Sequence, residues 1–129
     1  MIGKVIKYKF DNTSSLNNVF AGRVYPLVGA QTSARPFCIY DTTSIRPEGS
    51  KDADSHIDIV NIELTLIGDN YGTLQTAVEN IRTTFVRMKE TIGGVNVQSC
   101  GFDTQSEVFN VDEETFAVSV DLVFRIVKS

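Results

Sequence analysis

Two thiols, one imidazole and two runs of carboxylates are the groups in this 129-residue chain with the most obvious chemistry: Cys38, Cys100, His56, the series Asp52, Asp54, Asp58, and the series Asp112, Glu113, Glu114. A cysteine nucleophile needs its thiolate stabilised by a cation, an imidazole or a helix N-terminus. Cys100 and His56 are the pair to consider, yet Cys100 stands in a strand-like run with no helix-start signal beside it. Zinc is disfavoured because His56 has no cysteine or second histidine at ligand spacing. Calcium would want a more regular ligand spacing than either acidic run offers, and both runs read as solvated turns rather than buried pairs with separated pKa values. Neither a Gly-x-Gly-x-x-Gly nor a Gly-Lys-Ser/Thr phosphate cradle occurs. The two cysteines, each inside a strand-like pattern, are expected as buried reduced thiols rather than a disulfide. No catalytic, cofactor or metal residue is therefore assigned, and the remaining reading is assembly.

Charge is compatible with that reading and with a single balanced subunit. The net charge of −4 divides unevenly. Residues 1–47 carry Lys4, Lys7, Lys9, Arg23, Arg35 and Arg46 against Asp11 and Asp41, while residues 48–129 are strongly acidic. Opposite patches can serve long-range attraction within one subunit, or they can serve a head-to-tail interface between subunits. An acidic chain whose basic residues are not interleaved with aromatics is a poor nucleic-acid binder. The length fits one domain, residues 1–129. No window approaches the roughly 20 apolar residues of a membrane span. The apolar run at Met1–Lys7 is too short for a signal peptide, so synthesis in the cytosol is expected.

The elements that must position these groups are organised around Ile57–Ile92. From Val60 the even positions Val60, Ile62, Leu64 and Leu66 are apolar and the odd ones polar, the period of a strand with one buried face. Ile57 and Ile59 are in the other phase, which predicts a bulge or bend near Ile59-Val60. After the turn Gly68–Gly72, residues Leu74, Ala77, Val78, Ile81, Phe85, Met88 and Ile92 recur at helical steps, predicting a long helix over 73–92 that Gly93-Gly94 would end.

Elsewhere Ile2, Val5, Ile6 and Phe10 favour a short N-terminal helix, followed after the polar break Asp11–Ser15 by a brief helical turn closed by Gly22. Arg23–Pro26 is a short extended piece, 27–34 a loop, and Phe37–Ser44 a strand. Between Ile45 and Ser55 the pattern vanishes. The stretch Arg46–Ser55 is expected to project as an arm, with Arg46, Glu48, Lys51, Asp52 and Asp54 as candidate contacts to a neighbouring subunit. Val95–Ser99 starts a strand, Cys100–Asp103 bends it, and 106–111 extends again. Phe116, Val118, Val120, Leu122, Phe124 and Ile126 mark a second core strand, with Val123 and Val127 on its otherwise polar face. The expected architecture is α+β: a mainly antiparallel sheet of about four to five strands, with one long helix and a short N-terminal helix packed on one face.

In order and length these pieces resemble the tail terminator, or tail completion, proteins of long-tailed bacteriophages. The resemblance is carried by the helical turn closed by Gly22, Arg23-Val24-Tyr25-Pro26, a loop with Gln31, Arg35-Pro36-Phe37-Cys38-Ile39-Tyr40, a polar loop, the strand Ile57–Ile67 and the helix Thr73–Ile92. Where that family often has a longer N-terminal helix, this chain has the break Asp11–Ser15. The resemblance implies a structural virion protein, not an enzyme. It would form a homo-oligomeric, hexameric ring at the head-proximal end of the tail, assembled in the host cytoplasm. The ring would end polymerisation of the tail tube protein and offer a docking surface to the head connector or neck protein. DNA would pass its lumen without specific binding, and no membrane or cofactor is implied. A neck or head-completion protein, or a tube subunit of related fold, is the alternative; a small ligand-binding domain or hydrolase ranks below both.

Overall fold

The computed structural model describes residues 2–26, 35–48, 56–110 and 114–127. The two long alternating runs form the centre of a sheet. β3 (Ile57–Gly68) and β6 (Thr115–Val127) pair antiparallel along their whole length, from Ile57 opposite Val127 to Gly68 opposite Phe116. Outside β3 lies β2 (Phe37–Pro47), antiparallel, and beyond it the short parallel β1 (Val24–Pro26). Outside β6 lies β5 (Val95–Asn110) and then β4 (Glu90–Ile92), both antiparallel. The order is thus β1-β2-β3-β6-β5-β4, and the sheet curls into a half-barrel. Pro26 lies on edge strand β1, where its missing N–H does least harm.

Among the described residues three helices cover one face: α1 (Ile2–Asn12), α2 (Ser14–Phe20) and α3 (Tyr71–Phe85). The apolar spacing of α1 buries Ile2, Val5, Ile6 and Phe10, and that of α3 buries Leu74, Ala77, Val78, Ile81 and Phe85. Four phenylalanines join the layers. Phe20 meets Phe10 edge-on at 5.4 Å between centroids, Phe10 meets Phe85 at 6.0 Å, and Phe85 meets Phe124 of β6 edge-on at 6.2 Å. Such contacts add roughly 0.5–1.5 kcal/mol each to the burial of the rings.

Three expectations need correction. Among the described residues the sheet has six strands and is mixed, and strand predominates over three short helices; it is not four to five strands under one long helix. The three-residue strands β1 and β4 are too short to show a period of their own. The helix expected over 73–92 ends at Phe85: Val86 turns extended (φ −65°, ψ 129°), Arg87 is left-handed (φ 69°), and the Arg87 N–H donates to the Cys100 carbonyl at 2.9 Å. Met88 and Ile92 are still buried, because the chain doubles back beneath the same core as β4. Gly93 and Gly94 (φ 56° and 83°) are therefore the two central residues of the tight β4–β5 hairpin, a turn of the type I′ kind, not a helix cap.

The bulge or bend expected near Ile59-Val60 does not occur. β3 pairs with β6 without a break, so Ile57 and Ile59 lie on the face away from the helices. The register instead shifts in β2 between Thr42 and Ser44, and in β5 near Gln98 and Asp103. Each extra residue bends and twists its strand. Cys100–Asp103 is accordingly a bulged section of one continuous strand rather than a break in it.

Candidate assembly surface

The registers place side chains on the helix-free face in rows across four strands. Nearest the α3 N-terminus, Phe37, Ile67, Ala117 and Val108 form an apolar row. Two residues along, Ile39, Thr65, Ser119 and Ser106 are level. The next row brings Asp41, Glu63 and Asp121 side by side on β2, β3 and β6, with Thr104 beyond. Thr104 Oγ1 donates to Asp121 Oδ2 at 2.5 Å. Like charges directly opposite on neighbouring strands weaken a sheet, so this row is a local cost to stability. Further on, Arg46 stands opposite Ile59, and Ile59 opposite Arg125.

Of the five loop residues predicted as contacts, two are described. Arg46 is an exposed residue of β2, not of a loop, because pairing continues through Pro47 opposite Asp58. Glu48 follows the strand: its N–H donates to the Ile57 carbonyl at 2.9 Å, and its carboxylate accepts from Arg125 of β6. This pair is more than a third exposed on both sides, which limits it to about 1 kcal/mol at most. Lys51, Asp52 and Asp54 lie outside the described residues, as do the 27–34 loop and the acidic pair Asp112 and Glu113.

The groups first considered for chemistry are kept apart. Cys38 and Cys100 are free and buried on the helix-bearing face. Burial pushes the Cys100 thiol up to about 12 and the Cys38 thiol higher still, so neither supplies thiolate at neutral pH. His56 precedes β3, and β6 lies between that strand and Cys100 on β5. Among the described residues, no group of three or more His, Cys, Asp or Glu could hold a metal ion, and no helix is long and apolar enough to cross a membrane.

A second surface escaped the sequence reading. At the far end of the β5–β6 hairpin large apolar side chains stand in water on both faces: Phe109 (47% exposed) and Tyr71 (43%) on the helix-bearing side, and Val108 (65%) on the other. Phe116 lies between the rings of Phe109 and Tyr71, tilted against both at 4.6 and 5.3 Å, and the three rings line a depression of about 220 Å³. The Tyr71 hydroxyl donates to Glu107 Oε2 at 2.7 Å, a bond that holds the phenol above its usual pKa, and Gln75 donates to the same oxygen. The available signal was Val108-Phe109, an apolar pair in a stretch with no other reason to be apolar.

The pieces that carry the family resemblance are neighbours in space. Val24-Tyr25-Pro26 lies parallel to Cys38-Ile39-Tyr40, and Arg23 ties α2 to the start of β2 through Nε to the Pro36 carbonyl (2.9 Å) and a terminal nitrogen to the Val19 carbonyl (3.3 Å). No protein-family model matches the sequence, and no curated protein matches it. The fold is nonetheless shared with a chain of a solved structure, the virion of a native gene transfer agent particle. The TM-score is 0.76 at 11% identity, covering 93% of this chain and 90% of that one.

Proposed function

We propose that this protein is a structural subunit of a phage-like particle, and within it a tail terminator. It would be a ring at the head-proximal end of the tail tube that ends tube growth and receives the head connector or neck protein. The observation that supports the first part is the fold shared over 93% of the chain with a component of a gene transfer agent virion. The finer part rests on the order of elements around Arg23–Pro26 and Arg35–Tyr40, and on a surface built for contact rather than catalysis: exposed apolar residues on the hairpin, a row of carboxylates on the open face, and thiols held in their neutral form. In a ring whose lumen is lined by the open face, Asp41, Glu63 and Asp121 would keep passing DNA from adhering. Hexamer formation belongs to the same proposal.

The test is the native mass of the purified protein, alone and after mixing with short tail tubes, followed by imaging of the tube ends. A ring at one end with elongation halted is the expected result. Binding along the tube, or open-ended growth, would favour a tube subunit. Attachment to connectors but not to tubes would favour a neck protein.

A further inference from the structure

Resting on the ring reading for the position of its partner, we infer that the notch between Tyr71, Phe109 and Phe116 takes an arginine side chain of the protein stacked on that end of the ring. The notch is a carboxylate set among rings. Glu107 lines the same depression as the three aromatics, and its Oε2 accepts from both the Tyr71 hydroxyl and Gln75. Two neutral donors on one oxygen hold the carboxylate in place without neutralising it, and Oε1 is left to accept from a partner. Among the described residues no lysine or arginine pairs with Glu107. Glu114, also exposed, comes one residue beyond the last pair of the hairpin, Asn110 opposite Thr115, and adds a second negative charge to this end.

The ligand is argued from shape and charge. A space of about 220 Å³ is below the roughly 300–1,000 Å³ of small-molecule sites and suits one side chain. A planar guanidinium does two things there that an ammonium does less well: it lies flat on an aromatic face, and it meets a carboxylate with a fork of N–H groups. The apolar stem of the arginine covers ring surface of Phe109 and Tyr71 that now stands in water.

The source is argued from height along the strands. Phe109 is opposite Phe116, which is opposite Gly68, so the notch sits at the hairpin end of the sheet beside the start of α3. Four of the six arginines are engaged within the subunit: Arg23 with backbone carbonyls, Arg35 with Asp69, Arg82 over Phe102 and Arg125 with Glu48. The other two lie away from this end. Arg46 is opposite Ile59 near the start of β3, whereas the notch is level with the end of that strand, and the Arg87 N–H meets Cys100, on the far side of the bulge near Asp103. In a ring whose axis runs along the strands, rotation keeps each residue at its own height, so no neighbouring copy brings Arg46 or Arg87 to the notch. The arginine therefore belongs to a different protein, the one that meets this end of the ring.

The test begins with the purified chain and two probes, capped arginine amide and its uncharged isostere, capped citrulline amide. At high millimolar concentration the arginine probe should shift the ring resonances of Tyr71, Phe109 and Phe116, and the citrulline probe should not. Glu107→Gln should abolish the response with an unchanged melting temperature. Equal shifts from both probes, or none from either, overturn the notch. In assembly, Glu107→Gln should form rings as the wild type does but attach at least tenfold more weakly to tubes or to connectors, and added salt should weaken the wild type more than the variant. Attachment of Glu107→Gln at full strength overturns the docking role and leaves the terminator reading intact. Loss of the rings themselves in Glu107→Gln overturns it in favour of a contact between copies. A wild type that meets neither tubes nor connectors overturns the terminator reading, and the docking role with it.

Discussion

From Val95 to Phe102, β5 lies under the end of α3. Val97 and Cys100 are buried, Cys100 faces Phe124 with Phe85 above it, and Arg82 sits over the Phe102 ring at 4.3 Å. From Asp103 to Asn110 the same strand keeps the same partner, β6, but α3 reaches it only through Tyr71 and Gln75 at Glu107. Val108 and Phe109 are left in water. Backbone pairing is common to both halves, so pairing alone is not what hides a strand. The cover does that, and where it stops the molecule offers a surface to something else.

The contrast is broken most severely at Phe85, whose ring links Phe10 of α1 to Phe124 of β6. Phe85→Ala should lose about 3–5 kcal/mol of stability, read as a lower urea midpoint, because the cavity opens among fully buried neighbours. A loss under 1 kcal/mol would mean that α3 is not the clamp over the first half of β5.

The second effect is pH-dependent and belongs to the same covered half. The Cys100 thiol, ordinarily at 9.0, is pushed up to about 12 by burial, and Cys38 shifts in the same direction. Above pH 9 the unfolded chain releases these protons and the folded chain holds them, so the folded state binds more protons and loses stability as pH rises. Stability from this source is constant below pH 9 and falls by about 1.4 kcal/mol per pH unit per thiol above it. Urea midpoints from pH 8 to 11 should fall less steeply for Cys100→Ala than for the wild type. Equal slopes would show that Cys100 is open to water.

At the border between the halves, the Asn70 side chain accepts from the Thr73 N–H at 3.0 Å and caps α3. Asn70→Ala should cost about 1 kcal/mol. It should also loosen Tyr71 from Glu107, visible as faster hydrogen exchange at the α3 N-terminus. The smallest effect is expected in the open half: Val108→Thr should change stability by less than about 0.5 kcal/mol, since the side chain is already in water. The same change should weaken self-association measured by sedimentation. A large loss of stability there would mean that the hairpin end is part of the core.

Much of the covered region was legible from residue order. The alternation of Val60–Leu66 and Phe116–Ile126 determined both central strands and which of their faces is buried. Ile2, Val5, Ile6 and Phe10 determined α1, and the strand-like setting of Cys38 and Cys100 determined that both would be buried thiols. These are local properties, because a period of two or of 3.6 residues assigns a face without reference to the rest of the chain. Tertiary structure decided the remainder. Met88 and Ile92 continue the spacing of α3 yet belong to a reversal and a short strand, since burial under one core can be reached from either conformation and only β5 supplies β4 with its partner. Arg46 reads as loop and is strand because Ile59 lies opposite it. The row Asp41, Glu63, Asp121 and the cluster Tyr71, Phe109, Phe116 unite residues far apart in sequence; long-range strand pairing makes the first a surface, and the seating of α3 beside the hairpin makes the second one.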